Sequence, residues 1–136
     1  MIVGIDPGKV TGQAVVIDGR LLIVRSDAIH VAIKDVLRFS HDYDAFVVVE
    51  DARKRKWFGN SGPEKWKGAG SIMRDCTIWE DFLVDMKIRH LMVAPAPGNT
   101  KLGAAKFQQA YGWTHKTNEH GRDAAMLALR HIGADK

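Results

Sequence analysis

Two carboxylates stand in the same unusual setting in this sequence. Asp6 closes the apolar run IVGI and is followed at once by a proline and two glycines, in MIVGIDPGKVTG; Glu50 closes FVVVE. A third acid, Asp123, falls one turn into the helical segment NEHGRDAAMLAL, with His120 three residues before it, so the two side chains can share a helix face. If the strands ending in Asp6 and Glu50 are parallel neighbours, both acids come to one sheet edge, and ligand sites of open α/β sheets lie beyond that edge. Acidic groups converging on one point repel one another strongly without a cation between them. Carboxylate oxygens favour Mg²⁺ or Mn²⁺, and two such ions about 3.5–4 Å apart activate a water and stabilise the departing oxygen of a phosphodiester.

Each residue also has an ordinary reading. Asp6 before Pro-Gly is a common turn former, and Gly8 and Gly12 read as turn glycines. Glu50 could simply close a strand, with Asp51 beside it as a rival acid. His120 could be a solvated histidine, or could ligate a metal or handle a proton. Glu119 suits a helix N-terminus.

Charge distribution supplies a second signal. The 136 residues carry a formal net charge of +4. Residues 1–50 hold five Lys/Arg and seven Asp/Glu, whereas residues 51–136 hold fifteen and nine. The excess concentrates in ARKRKWFGNSGPEKWKG, where Arg53, Lys54, Arg55, Lys56, Lys65 and Lys67 face one acid, Glu64. A polyanionic partner is the natural reading. Trp57, Phe58 and Trp66 interleave with these cations, and exposed rings there could stack on unpaired bases, worth ~1–3 kcal/mol per base. The same rings could instead pack in a core or a dimer interface.

The elements that must position these groups follow from patterning. IVGI, GQAVVID and RLLIVRS read as three strands, with Asp18-Gly19 as a hairpin turn. A helix near 28–40 follows, then FVVVE at 46–50, apolar on both faces as a central strand should be. The basic stretch 52–67 lacks an apolar period and reads as a loop or as a partly mobile entry to the next helix. Ile72, Cys76, Trp79, Leu83 and Met86 mark one stripe of a helix over 71–86, with Trp79 and Cys76 in the core. A strand at 88–94, a helix near 100–111 and a last helix near 120–132 complete a single α/β domain over residues 1–136. This order fits a mixed five-stranded sheet, three strands antiparallel and two parallel, with helices on both faces.

The cysteine content excludes other classes. One cysteine, Cys76, permits neither a disulfide framework nor a cysteine-rich zinc site. The first residues show no secretory pattern, and no apolar stretch nears the ~20 residues of a membrane span. The expectation is a protein of a reducing, intracellular compartment.

GIDPGKVTG, VVVED and HGRDAAMLAL, in that order, resemble the RuvC family of Holliday-junction resolvases, in the RNase H-like superfamily. The resemblance spans nearly the whole chain, and the short length looks more like a bacteriophage or mobile-element member than the housekeeping enzyme. It implies an RNase H-like fold and a homodimer that cuts two strands symmetrically at a four-way DNA junction. It implies that Asp6, Glu50, His120 and Asp123 are the metal-binding catalytic positions, with Mg²⁺ or Mn²⁺, two ions per site, Asp6 bridging them. Lys101 and Lys106 resemble the family's basic positions for DNA backbone contact. Rival readings keep the fold but act on flaps, forks or RNA–DNA hybrids, or bind branched DNA without cutting it. The Asp-x-Gly turn also resembles the phosphate loop of actin-like ATPases, which need a second such domain.

Overall fold

A five-stranded mixed sheet in the order β3-β2-β1-β4-β5 forms the centre of the molecule. The structure, a computed structural model, describes residues 1–55, 63–97 and 101–136, residues 63–69 by backbone alone. Three strands, β1 (Ile2–Asp6), β2 (Val10–Ile17) and β3 (Arg20–Ala28), form an antiparallel meander. The β2–β3 turn is the expected Asp18-Gly19 pair, with φ of 51° and 75°, the left-handed geometry that matches the twist of a tight hairpin. Helix α1 (Ile29–Tyr43) leads to β4 (Phe46–Glu50), which pairs parallel to β1; β5 (His90–Val93) pairs parallel to β4. The fold class is therefore the one the sequence pattern implies.

Alternation along β1 and β4 builds two cores. Val3, Ile5, Val47 and Val49 pack with Ala32, Val36 and Phe39 of α1 and with Trp79 and Leu83 of helix α2 (Pro63–Asp85). On the opposite face, Ile2 and Val48 pack against Leu127 and Ala128 of helix α4 (Glu119–Arg130), and Phe107 of helix α3 (Ala104–Tyr111) joins Ala14, Ala124 and Ala125. Helices thus cover both faces.

The structure differs from the sequence reading in four places. Helix α2 begins at Pro63, not near 71, so Lys65 and Lys67 belong to a helix rather than a loop; proline is well placed at a first helical position, where its missing N–H costs nothing. A 3₁₀ turn, Ala52–Lys54, also interrupts the basic stretch. Of the α2 stripe, Cys76, Trp79 and Leu83 are buried, but Ile72 and Met86 are exposed. Gly12 is not a turn glycine: it lies within β2, opposite Asp6. A β-carbon on Gly12 would overlap the carbonyl of His120, and one on Gly4 the carbonyl of Ala124. These two glycines let α4 lie directly on the sheet.

Among the described residues, no helix is long and apolar enough to cross a membrane.

Candidate active site

Parity and register bring the first two acids together. Residues 2, 4 and 6 of β1 and residues 46, 48 and 50 of β4 point to the α4 face, since side chains alternate along a strand. Ile5 stands beside Val49 in the parallel ladder, so the next position sets Asp6 beside Glu50. Both lie at the C-terminal edge of their strands. Asp51, one residue on, faces the other way. The residue is 1% exposed, and its carboxylate takes two hydrogen bonds from the Arg53 guanidinium and one from the Arg53 backbone N–H. Those hydrogen bonds, above all from the Arg53 side chain, hold its carboxyl below the usual range. The neighbouring acid is thus a structural anchor, and Glu50 faces the site.

Helix α4 delivers the other two groups. Asn118 caps it by accepting a hydrogen bond from Gly121 N–H at 2.8 Å, while its amide donates to Ser26 Oγ of β3. The cap ties the helix start to the sheet, and Gly12 lets it approach. As a result His120 Nδ1 stands 3.3 Å from Asp6 Oδ2. Lys101, in the segment before α3, places Nζ 3.2 Å from Asp123 Oδ2 and 3.8 Å from Glu119 Oε1. Asp6, Glu50, His120 and Asp123 line one cleft of about 230 Å³, with Pro7, Ala52, Arg55, Ile72, Lys101 and Glu119.

The electrostatics of the cleft are those of crowded acids. Burial, then the Glu50 and Asp123 charges, push the Asp6 carboxyl up to about 7, against the opposing pull of His120. Burial and Asp123 also raise Glu50, against Lys101, Arg130 and Arg55. Burial disfavours the Lys101 charge, but the carboxylates of Asp123, Glu50 and Glu119 outweigh it and hold the ammonium above its ordinary range.

The donor set suits a hard divalent cation: oxygen ligands whose mutual repulsion such an ion would relieve. As the side chains stand, no group of three His, Cys, Asp or Glu among the described residues is arranged to hold a metal ion. Asp123 is instead turned to Lys101.

The basic residues divide by position. Arg53 is spent internally, on Asp51, Thr77 Oγ1 at 3.2 Å and Glu80 Oε1 at 3.0 Å. Lys54 donates to the Met92 carbonyl. Arg55 lines the cleft, as does Lys101, whereas Lys106 is exposed on α3. Lys56, Trp57 and Phe58 lie outside the described residues, as do the side chains of Lys65, Trp66 and Lys67. Sequence reasoning passed over Arg130, which acts on Glu50. Its position seven residues after Asp123, two helical turns on, was the available signal.

In sequence, no family model and no curated protein matches the chain. In structure, the mixed sheet with its flanking helices defines an RNase H-like α/β fold. The chain is similar to T. thermophilus RuvC, solved in complex with a Holliday junction substrate, with a TM-score of 0.58 and 18% identity over 96% of this chain and 91% of that one. The comparison gives no support for a bacteriophage or mobile-element source.

Proposed function

We propose that this chain is a divalent-metal-dependent endonuclease that cuts branched DNA at four-way junctions, acting as a homodimer. The observation that carries the reading is the convergence of Asp6, Glu50, His120 and Asp123 on one cleft at the C-terminal edge of an RNase H-like sheet. A non-catalytic binding module has no need of three acids forced together at an energetic cost.

Asp6, Glu50 and Asp123 would hold one or two ions of Mg²⁺ or Mn²⁺, whose chemistry is Lewis-acid activation of a water and neutralisation of the departing oxygen. His120 holds Asp6 Oδ2 through Nδ1, and its Nε2 would be the position for handling a proton. Arg55 and Lys101 bring positive charge to the mouth of an otherwise acidic cleft, where phosphate oxygens of a strand would lie. Ile72, Pro7 and Ala52 give the same cleft an apolar side against which a sugar can rest. The clustered cations between residues 53 and 67 favour a polyanion and support the choice of nucleic acid.

The substrate assignment is tested by side-by-side cleavage of a synthetic four-way junction, a fork, a flap and an RNA–DNA hybrid in Mg²⁺. Preferential cutting of the four-way junction is the expected result. Preferential cutting of the hybrid or flap would move the activity elsewhere within the same fold.

A further inference from the structure

The cleft holds its own cation. Asp123, 14% exposed in its side chain, is bonded to Lys101 Nζ at 3.2 Å, and Glu119 reaches the same nitrogen at 3.8 Å. Two of the cluster's acids thus already have a contact: Asp6 with His120, and Asp123 with Lys101. An ammonium in contact with a carboxylate occupies the electrostatic position a divalent ion would need, and two cations a few ångströms apart in a partly buried site repel strongly. Lys101 is also built to leave. It precedes α3 on a long flexible stem, and half of its side chain is exposed.

We infer that Lys101 is an exchangeable internal counter-ion, which holds Asp123 when no divalent cation is bound and must swing out of the cleft before Asp123 can ligate one. This rests on reading the cleft as a divalent-cation site. Its consequence is that the resting protein keeps one cation position closed, and its apparent affinity there is lowered by the fraction of molecules in which Lys101 stays in place. The group that draws Lys101 away is expected to be an anion at the cleft mouth.

The test is calorimetric titration of Mn²⁺ into DNA-free, metal-free protein, comparing wild type with Lys101→Met and with Lys106→Met, which removes an equal charge from exposed α3. Lys101→Met should tighten one Mn²⁺ site by at least about fivefold, while Lys106→Met changes it by less than about twofold. Wild-type binding with no tightening in Lys101→Met overturns the inference alone. Absence of Mn²⁺ binding in every protein overturns the inference together with the cation reading of the cleft. A measurement free of substitution runs beside it. The side-chain NMR signals of Lys101 should shift as Mg²⁺ is added; signals that stay fixed while Mg²⁺ binds would contradict the exchange.

Discussion

The carbonyl of His120 lies where a β-carbon on Gly12 would have to be. This contact sets the helix carrying two candidate functional groups at its distance from the strand carrying a third. Gly12 is opposite Asp6 in the β1–β2 ladder, and His120 Nδ1 reaches Asp6 Oδ2 at 3.3 Å.

Gly12→Ala should therefore cost roughly 1–3 kcal/mol of stability, the usual range for overpacking a filled site. It should also reduce cleavage by more than the loss of folded protein explains, because His120 must retreat from Asp6. Gly70→Ala is the matched comparison. Gly70 lies in α2 with open space around its β position, so alanine there should stabilise by about 0.5–1 kcal/mol. Urea unfolding of the two variants checks both signs.

Stability should fall with rising pH in the absence of divalent ions. Asp6 is ordinary at 3.8 when exposed and is pushed up to about 7 in the fold. Between those values the folded chain keeps a proton that the unfolded chain has lost, so stability declines across the window and the loss is complete above about 7. Glu50, raised in the same direction, adds to the slope. Asp51, lowered, acts with the opposite sign only in more acid solution, below the ordinary carboxylate range. Unfolding at pH 5 and pH 8 should differ by on the order of a few kcal/mol. Asp6→Asn should flatten the difference, and Mg²⁺ should recover stability mainly at pH 8.

Arg53 and Arg55, two residues apart, should behave differently. Arg53→Ala leaves the buried Asp51 carboxylate without its partner and should destabilise the fold by roughly 2–4 kcal/mol. It should leave the salt dependence of DNA binding unchanged. Arg55→Ala, at the cleft, should lower the salt slope by about one unit. Denaturation and fluorescence anisotropy at several salt concentrations separate the two.

Much of this arrangement is legible from the chain alone. The runs IVGID and FVVVE each end in their acid, which places both acids at one sheet edge once the strands run parallel; which face they take is settled only by the helix packed there. The final helix announces itself by the spacing of His120 and Asp123. What the sequence conceals is tertiary. Gly12 resembles any turn glycine until a helix carbonyl is laid against it. Arg53 resembles its neighbours in a basic run until Asp51 and Glu80 are folded around it. The Lys101–Asp123 pair spans 22 residues, and only the path of the intervening chain brings the two together. Helix α2 starts early because packing of its later turns sustains a first stretch that contains Gly68 and Gly70 and has weak propensity of its own.

Cutting of branched DNA at the Asp6 cleft is the proposed activity. The most direct test incubates wild type and Asp6→Asn with an end-labelled synthetic four-way junction, with and without Mg²⁺, and reads binding and cleavage in the same samples. Wild type should give paired, symmetric nicks only in Mg²⁺, and Asp6→Asn should bind the junction without nicking it. Equal cleavage by Asp6→Asn, or wild-type binding that never leads to a cut in Mg²⁺ or Mn²⁺, would contradict the proposed activity.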